Sequence, residues 1–345
     1  MPSLQTLIQT LFPIYWRFLG YPLSCLKGVI VDSVPFSLVE TLVWVGLISL
    51  IFLILLLIKG HYRWLKNHSM VFLILLSGPV LLLLMAMGQG AFPLSLAPSA
   101  WRKPLAQVFI GPALPYEKFK QQLSVHEQHL LTHFSLRDYQ LYTEPQIVVQ
   151  CNDALDQVLD VLHLAPGRTV RAIKPMGPFT TTLGLAYGGP AFHDPFLGEL
   201  AMVQYQDMPT PRYWRLIGIC HEEAHAKGFT REMDAEILTQ LALNFTHDPF
   251  LQILGDIMYL RKSGEKIEFP KALSDEISVS RATLKKVEEQ QWCVQFIRRM
   301  TKKIGFQNSG GKYGSRMGSE AWDVHHPFYA TVEGLQSGDS TFFHR

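Results

Sequence analysis

Two long apolar runs dominate the first quarter of the chain. From Phe36 to Ile58 (FSLVETLVWVGLISLIFLILLLI) the single charge is Glu40, near the start. At 1.5 Å per residue this helix reaches about 34 Å, enough to cross a hydrocarbon core of about 30 Å. Met70 to Met87 (MVFLILLSGPVLLLLMAM) forms the second run. Its Gly78-Pro79 break is of a kind that lipid-embedded helices tolerate when neighbours satisfy the freed carbonyl. The stretch between them, KGHYRWLKNHS, carries Lys59, Arg63 and Lys66 and no acid. Short loops rich in Lys and Arg stay cytoplasmic, so the hairpin loop is expected inside and the large C-terminal part outside. Arg17, Lys27, Arg102 and Lys103 flank the other ends and weigh against that bias. Residues 1–35 lack the uninterrupted apolar core of a signal peptide, because Pro13, Arg17 and Pro22 break it. They read as an interfacial segment anchored by Tyr15, Trp16 and Tyr21.

After residue 88 the pattern changes. Residues 89–112 mix Gly, Pro and small side chains and read as a linker. Helices are expected over YEKFKQQLSVHEQHLLTHFSL and over CNDALDQVLDVLHL, the latter with Asn152 or Asp153 near its start. RTVRAIKP, stopping at Pro175, and LGELAMVQ (197–204) have strand character. Thr210 is placed to cap a helix with Pro211 at its first position, and Gly228 to end it. Tyr213, Trp214, Leu216, Ile217, Ile219, Cys220 and Ala224 make that helix apolar around much of its circumference, so it should be buried. Thr230 can cap the next helix, REMDAEILTQLALNF, and helical patterns follow at 249–263 and 271–304. The expected fold is α+β and mostly helical: two transmembrane helices (36–58 and 70–87, within 36–88), then a domain over 113–345 with a small sheet.

Composition sharpens this picture. Hydrophobic residues make up 48% and charged residues 17%, with the apolar excess concentrated before residue 95. Thirty-one basic and 29 acidic residues nearly cancel. No basic block is interleaved with aromatics, so a nucleic-acid partner is not expected. Cys25, Cys151, Cys220 and Cys293 show no C-x-x-C spacing and define neither a zinc ribbon nor a disulfide framework. One pair can still form in an oxidising compartment, although Cys220 reads as core.

The candidate chemistry lies in HEEAHAKGFTRE, residues 221–232. His221 and His225 are one helical turn apart and share a face, so both rings can hold one zinc ion. Glu222 can reach a metal-bound water without being a ligand, the division of labour of an HExxH helix. Gly228, three residues past the second histidine, lets the chain reverse. Where metzincins carry a third histidine the chain has Arg231, which cannot bind zinc. Glu232 is the expected third ligand and Asp234 the alternative, although an acid in a first helical turn is also what the helix dipole favours. Failing ligation, Asp234 and Glu236 are placed to orient the histidines by accepting their second ring N–H. Glu223 points away from the pair, toward the surface or behind the ligands.

HEEAHAKGFTREMDAE resembles the HExxHxxGFxxExxA signature of minimal gluzincin-type metallopeptidases, within a bacterial membrane-anchored family, domain of unknown function 3810. VPFSLVETLVW, PFLGELAMVQ (195–204) and GGKYGSRM (310–317) are similar to stretches of that family; the chain departs from it at Asp234 and Glu236. The resemblance implies a zincin-like domain after N-terminal membrane helices, with Glu232 as third ligand. Zincins bind extended substrate on an edge strand before the HExxH helix, and LGELAMVQ stands in that place. Tyr313, His325 and His326 are candidate oxyanion donors, with Tyr313 preferred. The expected protein is a zinc metallopeptidase of the bacterial inner membrane, acting on a peptide or protein outside the cytoplasm. A sensor or assembly module keeping the fold without catalysis, and a structural membrane protein with a chance motif, are the alternatives. No motif fixes the oligomeric state.

Overall fold

The computed structural model of the chain describes residues 21–59, 105, 115–164, 167–187, 191–193, 199–204, 210–229, 231–263, 265–303 and 328–333. In chain order these form α1 (Tyr21–Ser33), α2 (Leu38–Ile58), α3 (Tyr116–His133), α4 (Leu136–Leu141) and α5 (Glu144–Val161). Next come β1 (Lys174–Pro175), α6 (Pro178–Tyr187), β2 (Ala191–His193) and β3 (Leu200–Met202). Helices α7 (Arg212–Ala226), α8 (Glu232–Phe245), α9 (Pro249–Lys262), α10 (Lys271–Gln290) and α11 (Trp292–Lys303) follow. The expected second span, 70–87, lies outside the described residues.

Among the described residues one helix, α2, is long and apolar enough to cross a membrane. Ile48, Ile51 and Ile58 on it are each more than half exposed. In water that surface forgoes the gain of burial, whereas in hydrocarbon it does not. The start of α2 is held differently. Glu199 accepts the N–H groups of Leu38 at 2.7 Å and Val39 at 3.4 Å. A carboxylate there satisfies orphan donors and meets the positive end of the helix dipole. Glu40, the lone charge in the apolar run, does the same for α6. It accepts from the N–H groups of Phe179 at 3.0 Å and Thr180 at 2.9 Å, the Thr180 hydroxyl at 2.9 Å and the Trp44 indole at 2.8 Å. Two glutamates thus fasten α2 to the folded body.

The described part of the first 35 residues is helical and meets the folded body: Val31 is buried, and Asp32 accepts from Arg168 at 3.2 Å and from the Arg171 N–H at 3.2 Å. Its other face, with Leu26, Val29 and Ile30, is exposed. The linker touches the body at Leu105, which is buried and donates its N–H to Asp234 at 2.8 Å.

The main core lies where α5, α7, α8 and α9 meet, with α3 against α9. His126 and His129 of α3 both engage the buried carboxylate of Asp256 on α9, at 2.7 and 2.6 Å. Helix α5 starts at Glu144, capped by Thr143, so Asn152 lies mid-helix and buried rather than at a start. The expected helix 271–304 is two helices, parted at Gln291. The sheet has the order β1-β3-β2, with β1 parallel and β2 antiparallel to β3. LGELAMVQ therefore supplies the central strand. Its two flanks are taken by β1 and β2, so it is not the edge that strand addition requires.

Candidate metal centre

Helix α7 carries the two histidines, and its ends show why they stay in place. It begins at Arg212, with Pro211 in the N-cap position and no capping bond from a side chain next to it. Thr210 is not the cap that its residue type predicts. The free N–H groups go to distant partners instead: Arg212 N–H to Glu276 at 2.7 Å, and Tyr213 N–H to the Tyr139 hydroxyl at 2.8 Å. At the other end Gly228 adopts φ 101°, which a side chain would resist. The Phe229 N–H bonds the Ala224 carbonyl at 3.3 Å and the Gly228 N–H bonds the His225 carbonyl at 2.8 Å. This is a Schellman ending, and it reverses the chain.

The reversal brings three ligand-type atoms together. Nε2 of His221 lies 3.1 Å from Nε2 of His225 and 3.1 Å from Oε2 of Glu232. Nε2 of His225 lies 3.6 Å from Oε1 of Glu232. Among the described residues these three form the group able to hold a metal ion, all donor atoms within 4.8 Å of one another. His225 is buried, and its Nδ1 meets the Phe229 carbonyl at 2.5 Å. That bond sets the tautomer with a proton on Nδ1 and leaves Nε2 as the donor atom. Glu232, at the first position of α8, is 57% exposed, so the group opens to solvent on that side.

The electrostatics follow from this proximity. Burial alone would lower the His225 pKa, but the hydrogen bond and charge of Glu232 win and raise it to about 9. Burial would raise the Glu232 carboxyl, but hydrogen bonds from His221 and His225 hold it well below its ordinary value. Two ring nitrogens facing each other across 3.1 Å, with a carboxylate beside them, form a place for a cation or a shared proton.

Glu222 faces β2. Burial raises its pKa against the pull of His225 and His221, and the His193 backbone hydrogen-bonds its carboxylate. Glu223 is not at the surface: it is fully buried, and Asn152 donates to its Oε1 at 3.2 Å. Burial pushes its carboxyl well above the ordinary value. Asn152 also exchanges hydrogen bonds with the Val170 N–H and carbonyl, at 3.2 and 3.0 Å, so one side chain ties that loop to α5 and α7. Next to it a disulfide joins Cys151 of α5 to Cys220 of α7. Lys227, also buried, reaches Asp156 of α5 at 2.6 Å. Cysteine spacing could not single out this pair, because the contact is made by helix packing.

The other candidates do not converge on the group. Asp234 turns inward to the Leu105 N–H and to Arg231 at 3.5 Å. Glu236 pairs with Lys262. Neither meets a histidine ring; the partner found for His225 is the backbone carbonyl of Phe229. Thr230, Tyr313, His325 and His326 lie outside the described residues.

Residues 15–299 match the family described as protein of unknown function (DUF3810), and the chain belongs to that family. No curated protein and no solved structure matches it.

Proposed function

We propose that the chain is a membrane-anchored, zinc-dependent peptidase with a zincin-like domain. One observation carries this reading: the separations among His221, His225 and Glu232. Bonds of 2.0–2.1 Å in tetrahedral geometry place ligand atoms about 3.3 Å apart. The observed separations are 3.1, 3.1 and 3.6 Å. Two histidines and one carboxylate, open to solvent on one side, are the donor set of a catalytic zinc that keeps its fourth position for water. Zinc held there supplies a Lewis acid and lowers the pKa of water toward about 7.

The chain's own residues carry the rest. Glu222, next to His221, takes the proton of the attacking water and delivers it to the leaving amine. Burial, which raises its pKa, favours its holding that proton between the two transfers. The His193 backbone bond keeps the carboxylate aimed from β2. The Phe229 carbonyl fixes the His225 ring, and the Gly228 turn presents Glu232.

The anchor reading rests on α2. Its first turn and Leu105 both dock on the same folded body. If α2 crosses a membrane, the chain must cross back between Ile58 and Leu105. Met70–Met87 is the apolar run able to do so. A buried disulfide supports an oxidising compartment for the body, which in a bacterium would be outside the inner membrane. The test is metal content and peptide hydrolysis of the purified full chain, with Glu222→Gln beside it. Hydrolysis lost with zinc kept supports the proposal; equal hydrolysis by both proteins overturns it.

A further inference from the structure

Helix α11 has a face that the peptidase reading does not use. Trp292 is 74% exposed and Phe296 is 55% exposed. They are four positions apart, so they share a helical stripe. Positions 299 and 303, an exposed Arg and a Lys, continue that stripe. The opposite side of the helix is satisfied: Val294 is fully buried, and Ile297 packs in the same cluster as Leu185 and Ala186 of α6. Across Trp292–Lys303 the sequence carries Arg298, Arg299, Lys302 and Lys303 and no acid.

Position in the fold says what such a face meets. Helix α6 packs against both α11 and α2. Its N-terminus is capped by Glu40, within the first turn of α2. One short helix therefore separates α11 from the point where α2 would enter a membrane. We propose that α11 lies on the bilayer surface, with Trp292 and Phe296 seated among acyl chains and Arg299 on anionic headgroups. Interfacial helices combine these features: an aromatic-bearing apolar edge, flanking Lys and Arg, and attraction to anionic lipid. The proposal rests on α2 as a membrane span but not on the peptidase reading. It gives the body a second attachment, which holds the domain at a set angle to the membrane.

The test uses the full chain in vesicles, with Cys25 and Cys293 replaced by serine and one nitroxide placed at Ile51→Cys or at Phe296→Cys. Collision with oxygen, which enters the bilayer, is compared with collision by a water-soluble nickel chelate. Vesicles are of phosphatidylcholine, with or without phosphatidylglycerol. The label at 51 is expected deep in the bilayer in both. The label at 296 is expected to show a several-fold higher oxygen-to-nickel ratio with phosphatidylglycerol, and Arg299→Glu is expected to reverse much of that rise. A label at 51 in lipid with one at 296 in water would overturn the proposal and leave the span standing. A label at 51 in water would overturn the span itself, and this proposal with it. Spin–spin broadening between labels at 296, independent of lipid, would assign the face to a second copy of the chain instead.

Discussion

His221 and Glu232 are eleven positions apart in the sequence, and their Nε2 and Oε2 atoms stand 3.1 Å apart in space. One helix ending accounts for this. The positive φ of Gly228 and two reversed hydrogen bonds turn the chain after α7, and α8 then starts with Glu232 beside the ring it left behind. Asp234, two residues on, faces the interior.

That difference sets the first prediction. Glu232→Ala removes a donor atom and is expected to weaken zinc binding by about 100-fold or more, above the range for an outer partner. Asp234→Ala is expected to leave zinc affinity within a few-fold. It should instead lower the unfolding temperature, because the Leu105 N–H loses its acceptor. Competition with a fluorescent chelator, together with thermal unfolding, separates the two. Loss of zinc from the Asp234 variant alone would reverse the assignment.

Glu223 supplies a pH prediction. Burial raises its carboxyl well above the ordinary value in the folded chain. The folded state therefore binds its proton more tightly than the unfolded state does. The stability this contributes is full below about pH 4 and is lost as pH rises through the raised folded value, at up to about 1.4 kcal/mol per pH unit. Glu223→Gln keeps the Asn152 contact without the titration. The variant should match the parent near the low end and exceed it increasingly above, in unfolding measured across pH. A difference that does not vary with pH would contradict this.

Cys151 and Cys220 are bonded, while Cys25 and Cys293 are free. Alkylation of the unfolded, unreduced chain should therefore label two of the four thiols. The bridge closes a loop with a sequence separation of 69. On the chain-entropy account, Cys151→Ser with Cys220→Ser costs about 4 kcal/mol. Because Cys220 precedes His221, loss of the bridge should also weaken metal binding. Four reactive thiols would refute the pairing.

The seat of α2 is tested at Glu40. Its carboxylate receives four donors from α2 and the start of α6. Glu40→Ala should cost about 2–4 kcal/mol, since each bond to a charged group is worth roughly 1.5–3 kcal/mol and exposed donors regain water. Gly177→Ala should mimic it, because a Cβ there would lie 2.3 Å from the Glu40 Cγ. Limited proteolysis around residue 177 reads both. Resistance equal to that of the parent would show that the glutamate does not fasten the helix.

What the sequence made legible divides along physical lines. The apolar run 36–58, the histidine pair and the stop at Gly228 are local patterns of spacing and backbone freedom, and they appear where expected. The start of α7 was less legible because its donors are met by Tyr139 and Glu276, residues far off in the chain. The residue type of Asn152 favours a cap; its role comes from the loop and helix packed upon it. The composition of LGELAMVQ shows a strand but not its neighbours in a sheet, which make it central rather than an edge. Glu40 and Glu199 are 159 apart in number, and nothing local to either announces that Glu199 caps the helix carrying Glu40 while Glu40 caps α6.

The central claim is tested most directly by measuring bound zinc and peptide cleavage together in the full chain, its Glu222→Gln variant and its His221→Ala variant. The account predicts about one zinc per chain in the first two, cleavage in the parent alone, and neither in the third, as expected for two ligands on one helix and a base between them. A parent chain that binds no zinc, or a Glu222→Gln protein that cleaves as well as the parent, would contradict it.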